Sequence, residues 1–241
     1  MLWDCGHSKG GRPSVFLPNR GISSIQNLVI TSFDENRISD LLELRSSIDI
    51  SALIKNPGIS AQELRRLKEA AGPVSAAMES MLEMMGSHTE YAFSPLDFPD
   101  VTLNMYHNNY GTGYGEFTDT NNLSLVSFLS FGSRKVIIPG DIERDGWLSL
   151  LKNPDFRNEL CDVNVFVASH GGKVRGYCPE VFGCIKNEKV ECVIFSSQFI
   201  EETTQVSSVY VYENHATGIM FDGGVRYVLT TRNDGTFWLA P

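Results

Sequence analysis

Polar side chains that could bind a metal ion follow three short apolar runs of the sequence. Asp34 lies in the stretch SFDENR after LVIT, Asp141 ends the stretch KVIIPGD, and His170 lies in SHGGK after VNVFVA. Because the strand ends of a layered α/β fold gather at one edge, residues that are far apart in sequence can converge there. Carboxylates and imidazoles are ligands of divalent metals. The pattern therefore predicts a metal site built from Asp34, Asp141 and His170.

Each of these residues also has a purely structural explanation. Asp34 could cap a helix that starts near Ile38, and Asp141 could cap the helix that contains Trp147. His170 could be a hydrogen-bonded histidine at the end of a strand. Taken singly, these explanations are simpler than a metal site, whereas the three residues taken together favour a shared site.

Strands and helices alternate along the chain as an α/β fold requires. Apolar runs rich in β-branched residues predict strands at 28–31, 123–131, 135–139, 163–168 and 191–196. Gly132 and Ser133 form the turn of a hairpin between the second and third of these strands. Helices are predicted at 38–44, around Trp147 and at 179–185. Further strands are predicted at 209–212, 217–221, 226–231 and 236–239.

A helical insertion is predicted at residues 59–86. Ser60 and Glu63 have the spacing of a capping box, in which the two side chains satisfy free amides at a helix start. Gly72 and Pro73 separate this helix from a second one. Three methionines between residues 78 and 85 fall on one face of the second helix. Such a stripe predicts core packing, because the thioether fills irregular gaps.

The composition fits one globular domain over residues 1–241. No apolar run approaches the ~20 residues that cross a bilayer, and the start lacks the layout of a signal peptide, so we expect a soluble, cytoplasmic protein. The 5 cysteines form no C-x-x-C pair, as expected of reduced thiols. A net charge of -9 argues against a large nucleic-acid-binding face, although it leaves room for a small basic patch.

The three motifs, in their order, resemble the metallo-β-lactamase fold superfamily. The similarity rests on LVITSFDENRISDL, NNLSLVSFLSFGSRKVIIPGD and VNVFVASHGG, and it runs over nearly the whole chain. The most similar branch is the one that includes the lactamase-like domain of bacterial DNA-uptake proteins. The resemblance implies a four-layer αββα sandwich with one or two metal ions, usually zinc, between its two sheets. It also implies that the first edge strands of the fold are missing, which leaves backbone groups for a partner to cover.

The resemblance assigns ligand positions, and those of the first motif are mostly substituted. The superfamily pattern H-x-H-x-D-H corresponds to Ser32, Asp34, Asn36 and Arg37 in this sequence. A guanidinium group keeps its proton near neutral pH and has no lone pair to give, so Arg37 cannot bind a metal. As a fixed cation it could instead neutralise Asp34 and Asp141, which would give a salt-bridged pocket.

The later motifs retain two of the implied ligands. Asp141 matches the aspartate that bridges two metals, and His170 matches the first histidine of the branch's Ser-His-His-Gly motif. Gly171 stands where the second histidine is expected. His107 is the candidate for a remaining ligand, and Lys173 adds a basic group to the pocket.

Two functional hypotheses follow. The first is a protein with a degenerate metal centre that binds no metal and acts as a non-catalytic or weakly active subunit with a protein partner or a second copy. The resemblance suggests bacterial phage defence as its setting. The alternative is a hydrolase of phosphoester or nucleic-acid-like substrates. In it, one zinc or manganese ion held by Asp34, Asp141 and His170 lowers the pKa of a bound water. The substituted positions favour the first hypothesis.

Overall fold

A computed structural model describes residues 1–7, 11–87, 100–196, 205–231, 233–236 and 238–239. The chain divides into two compact units, each made of two segments. Unit 1 comprises Met1–Pro95 and His107–Leu125, and unit 2 comprises Leu96–Tyr106 and Val126–Pro241. Both units combine helices with strands, so the predicted α/β class is confirmed. None of the described helices is long and apolar enough to cross a membrane.

The regular elements of the described residues are mostly short. The strands are β1 (Leu2–Trp3), β2 (Ser24–Val29), β3 (Asp49–Ile54), β4 (Val101–His107), β5 (Asn109–Tyr110), β6 (Glu116–Phe117), β7 (Leu125–Phe131), β8 (Arg134–Ile138), β9 (Val165–Val167), β10 (Cys192–Phe195), β11 (Ile219–Phe221), β12 (Gly224–Arg226) and β13 (Val228–Thr230). The helices are α1 (Pro13–Phe16), α2 (Glu35–Ile38), α3 (Leu41–Ser47), α4 (Ala61–Ala71), α5 (Ala76–Ser87), α6 (Arg144–Leu150), α7 (Pro154–Leu160), α8 (Pro179–Phe182) and α9 (Gln205–Glu213).

Unit 1 is built on a small parallel sheet with β2 between β1 and β3. Leu28 in β2 is level with Leu2 on one side and Leu53 on the other. The last three residues of β2 are all buried. A parallel strand covered on both faces forms a continuous apolar run, which explains why the predicted strand 28–31 includes the last two residues of β2.

The helices α4 and α5 occupy the predicted helical insertion. The capping box at the start of α4 is confirmed, because Ser60 Oγ accepts from the Glu63 amide and Glu63 Oε2 accepts from the Ser60 amide at 2.8 Å. The methionine stripe on α5 is also confirmed as core, since Met78, Met81 and Met85 are buried. These side chains belong to the same hydrophobic cluster as Leu28 of β2. Both helices therefore contribute to the core of unit 1.

Unit 2 contains a six-stranded sheet in the order β13-β10-β9-β8-β7-β4. Strands β8, β9, β10 and β13 run parallel, and β7 forms the predicted antiparallel hairpin with β8. One row across the sheet consists of Ile137, Phe166, Val193 and Val228. The first three are buried, so this row forms the centre of the unit 2 core.

Large aromatic side chains fill one side of this sheet. Phe166 lies within 6.2 Å of Trp147 from α6 and 4.8 Å of Phe182 from α8, measured between ring centroids. Trp147 also donates from Nε1 to the Gly176 carbonyl at 3.1 Å, which satisfies its polar atom in the core. This packing fixes the loops that follow β8 and β9.

The C-terminal part differs from the sequence prediction in one helix. Residues 209–212 were predicted as a strand but belong to α9, so that prediction is wrong. Tyr212 is fully buried and makes edge contacts with Phe182 and Phe195. These tertiary contacts outweigh the β propensity of the run VYVY. Strand β11 lies within the predicted strand 217–221 and forms an antiparallel hairpin with β12, and β13 lies within the predicted strand 226–231 and joins the large sheet. The described residues of 236–239 form no strand.

Candidate functional site

The Asp141 and His170 loops meet at one edge of the unit 2 sheet. They leave the carboxyl ends of β8 and β9, which are neighbouring parallel strands. The His170 amide donates to the Gly140 carbonyl at 3.0 Å, and the Ser169 hydroxyl donates to the Ile142 carbonyl. Two of the three predicted segments are thus brought together, as parallel strand ends require.

The His170 loop has an unusual backbone. His170 itself has φ 53° and ψ 39°, the left-handed conformation that a side chain adopts at a cost. Gly172 has φ 84°, and a Cβ atom there would lie 1.9 Å from Cε1 of Phe195. The loop therefore needs glycine at 172 for two independent reasons, which accounts for the SHGGK sequence after β9.

The imidazole of His170 lies between a carboxylate and an ammonium group. Nδ1 is 3.5 Å from Oε1 of Glu143, and Nε2 is 3.3 Å from Nζ of Lys173. Because an ammonium group can only donate, this contact suits the tautomer in which Nε2 is the acceptor and the ring proton lies on Nδ1, on the side of Glu143. Glu143 was missed by the sequence analysis, although it stands two residues after Asp141 and just before a helix.

Asp141 is buried within the same loop, at 1% exposure. The cap position of α6 is held by Glu143, so the structural alternative in which Asp141 caps this helix is wrong. The helix starts two residues later than that explanation requires.

Asp34 lies in unit 1 at the cap position of α2, as its structural alternative predicted, but its side chain makes no capping hydrogen bond. Instead, Oδ1 accepts from the Thr120 hydroxyl at 3.1 Å and lies 3.6 Å from Nζ of Lys68 on α4. Thr120 belongs to the stretch DTNN and is 86 positions away from Asp34 in the sequence. Neither partner could be inferred from local spacing.

Arg37 pairs with Asp4 in unit 1. The distance from its Nη1 to Asp4 Oδ2 is 3.6 Å, and both side chains are largely buried. Asp4 also accepts from the amide and the hydroxyl of Thr31, at 2.8 and 2.7 Å. Within unit 1, Lys68 is thus a cation beside Asp34, and Arg37 is one beside Asp4.

The remaining first-motif residues and His107 have separate surroundings in unit 1. Ser32 is buried, and its hydroxyl has no hydrogen-bond partner among the described residues, whereas Asn36 is exposed. His107 Nδ1 lies 3.3 Å from the Asn108 carbonyl. Burial lowers the pKa of His107, and the charge of Lys55 lowers it further, against the opposing effect of that carbonyl. No described hydrogen bond or ion pair joins His107 to Asp34.

The residues present do not fit a metal ion in this arrangement. Within the described ranges, no three or more histidine, cysteine, aspartate and glutamate side chains are grouped so that they could hold one. The lone pair of His170 Nε2 faces an ammonium group, as does one carboxylate oxygen of Asp34. A cation at these positions repels a metal ion and competes for the same lone pairs.

Comparisons with known proteins give little further guidance. No protein-family model matches the chain, and no curated protein matches it. Among solved structures, that of Zn(2+)-bound PqqB from Methylobacterium extorquens is similar over 69% of this chain, with 12% sequence identity and a TM-score of 0.37. The chain spans about half of that structure, 55% of its length. A likeness at this level carries neither fold family nor function to the present chain.

Proposed function

We propose that this chain is a metallo-β-lactamase-like protein whose metal centre has been lost and which acts as a non-catalytic or weakly active subunit of a complex. The observation that carries the proposal is the 3.3 Å contact between Nζ of Lys173 and Nε2 of His170. Metal-binding histidines give one ring nitrogen to the metal and donate from the other to a carboxylate or carbonyl. Here Glu143 supplies the carboxylate, and the ammonium group of Lys173 takes the place of the metal.

A second substitution of the same kind supports the proposal. Asp34 would be a ligand in the first motif, yet its carboxylate is neutralised by Lys68 and fixed by the Thr120 hydroxyl. Exchanging a divalent ion for lysine ammonium groups removes the Lewis acid that would lower the pKa of a water molecule. The chain keeps the loops of such a site, but the side chains of these loops bind lysines of the same chain instead of a metal ion. The four-layer sandwich is part of this proposal.

The proposed partner would bind next to the sheet of unit 1. β1 is an edge strand of that sheet among the described residues, and an edge presents backbone groups to which another strand can add. The indole Nε1 of Trp3 on β1 is buried and has no hydrogen-bond partner in the described part of the chain. Sedimentation equilibrium separates a second copy from a different protein as this partner. The phage-defence setting rests on the resemblance alone.

Metal titration tests the proposal. We expect substoichiometric zinc and manganese in the purified chain, and no binding isotherm when either ion is added. Lys173→Ala removes the competing ammonium group and should increase zinc affinity, whereas Arg175→Ala, an exposed neighbour with no described contact to His170, should not.

One result would overturn the proposal. Stoichiometric zinc in the wild-type chain, lost on His170→Ala and on Asp141→Ala, would establish the single-metal hydrolase instead. Both variants have a folding control, because circular dichroism and the unfolding midpoint report whether the loop change has damaged unit 2.

A further inference from the structure

A polar groove opens at the end of the unit 2 sheet where β8 and β9 begin. Its volume is about 540 Å³, and it lies between the β7–β8 turn, the residues that follow α7 and the turn Lys186–Glu188. The Asp141 and His170 loops leave the carboxyl ends of the same strands, so the groove is separate from the candidate site. Its size is that of a small-molecule pocket.

The groove is basic although the chain is acidic. Its lining contains four basic residues and one acidic residue, namely Arg134, Lys135, Lys186, Lys189 and Asp162. The net charge of the whole chain is -9, so such a concentration is not expected from composition. A cleft lined by one sign of charge attracts ligands of the opposite sign.

Two of these four cations are already paired and two remain available. Arg134 forms an ion pair with Glu191, and Lys135 forms one with Glu159. Lys186 and Lys189 are exposed and have no ion pair among the described residues. These two ammonium groups are therefore the ones that a bound anion would neutralise.

A neutral donor lies beside the cations. Asn164 Oδ1 accepts from the Lys135 amide at 2.8 Å, which fixes the side-chain amide at the start of β9. Its Nδ2 makes no hydrogen bond within the described residues and is left as a donor in the groove lining. Anion sites commonly combine lysine charges with such fixed N–H donors.

The turn Lys186–Glu188, which contains one of the two exposed lysines and precedes the other, has a strained backbone. Asn187 and Glu188 are consecutive and have φ values of 61° and 57°. The turn is fixed by hydrogen bonds from the Lys186 amide to the Cys161 carbonyl at 3.0 Å and from the Glu188 amide to the Ile185 carbonyl at 2.8 Å. Strain of this kind persists where the surrounding structure enforces it and is found at binding sites. It sets the backbone positions of the two lysines before any ligand arrives.

We propose that this groove binds a small molecule through a phosphate or polyphosphate group, with Lys186, Lys189 and Asn164 as its contacts. Lysine is a compact charge suited to phosphate oxygens. Among the residues that the structure describes, no aromatic side chain lines the groove, so none of them stacks on bases as in single-strand nucleic-acid sites. Inorganic pyrophosphate and a nucleoside triphosphate share the ligand chemistry, and the experiment distinguishes them.

Calorimetric titration of the full chain with pyrophosphate at low salt tests the assignment. We expect one site, whose affinity falls about tenfold or more in the double variant Lys186→Glu/Lys189→Glu. Asp162→Asn removes the one acidic residue of the lining and should tighten binding severalfold. The control Arg66→Glu/Lys152→Glu makes the same change in net charge at exposed positions outside the lining and should leave the affinity within about twofold. If a nucleoside triphosphate binds no tighter than pyrophosphate, the groove contacts only the phosphate groups of the ligand.

Three results would overturn the proposal. They are no pyrophosphate binding by the wild-type chain, an equal loss in the control variant, and binding that strengthens with oligonucleotide length while pyrophosphate fails to compete. The first result would mean that the groove is not a phosphate site. The second would mean that binding depends only on the net charge of the chain. The third would mean that the groove binds a nucleic-acid strand.

Discussion

A lysine side chain lies next to each of two predicted metal ligands, Asp34 and His170. Lys173 was recognisable in the sequence as a basic group next to His170, because only three positions separate them. Lys68 was not, since its contact with Asp34 depends on how α4 packs within unit 1. Sequence patterns thus located the loops of the candidate site and one of its two lysines, whereas the other lysine was found only from tertiary contacts.

Gly172 provides a residue-scale test of the His170 loop. Gly172→Ala adds a Cβ atom 1.9 Å from Phe195 Cε1 in a residue with φ 84°, so both a clash and backbone strain result. We expect a loss of about 2–4 kcal/mol in the free energy of unfolding, measured by denaturant titration.

The matched control is Gly223→Ala. Gly223 has φ 77° but open space around the added atom, so only the backbone strain of about 1 kcal/mol applies. Equal losses in the two variants would mean that the Phe195 ring moves aside and that the loop is not tightly packed.

At the scale of elements, the sequence predicts features that depend on neighbouring residues, and it fails for a helix that depends on distant contacts. The capping box of α4 and the β7–β8 hairpin are set by a few neighbouring residues, and both are confirmed. Helix α9 was mistaken for a strand because its run VYVY is fixed by contacts with aromatic rings on other elements. The predicted helix at 38–44 is likewise divided into α2 and α3.

The contribution of α5 to the core leads to a second prediction. Met81 is fully buried in the unit 1 cluster, so Met81→Ala should lower the free energy of unfolding by about 2–5 kcal/mol. Met220→Ala removes the same atoms from a side chain that is 72% exposed and should change it by less than about 0.5 kcal/mol. A small effect at Met81 would show that α5 packs loosely and contributes little to the core of unit 1.

At the scale of the molecule, the sequence indicated an α/β chain but not its division into two units. Each unit combines segments that are not adjacent in sequence, so the division depends on which apolar faces meet. Alternation of strands and helices does not determine that pairing. The strand ends near Asp141 and His170 could be foreseen because parallel neighbours share an edge, and β8 and β9 are such neighbours.

The buried thiols make the whole molecule sensitive to alkali. Burial raises the pKa of Cys192 from 9.0 to about 11, and burial with the nearby Glu180 raises that of Cys178 to about 12. The folded chain therefore holds these protons more tightly than the unfolded chain. This stabilisation is complete below pH 9 and is lost as the pH rises through 11 and 12.

We accordingly expect the free energy of unfolding to fall from pH 9 upward, measured by denaturant titration at each pH. Cys192→Val should flatten this decline between pH 9 and 11, because one titrating group is removed. Cys161→Ser changes an exposed thiol and should leave the profile unchanged. An identical slope in the wild-type chain and Cys192→Val would mean that Cys192 does not contribute to the loss.

The parallel pairing of β13 with β10 also governs the order in which the protein folds during synthesis. All segments of unit 1 have been made once residue 125 leaves the ribosome, whereas the unit 2 sheet lacks β13 until residue 230 does. Strand β10 is complete at residue 195, and until β13 is made it presents an unpaired edge, which is prone to aggregate. The nascent chain should therefore be most prone to aggregate between the synthesis of β10 and that of β13, from residue 195 to residue 230.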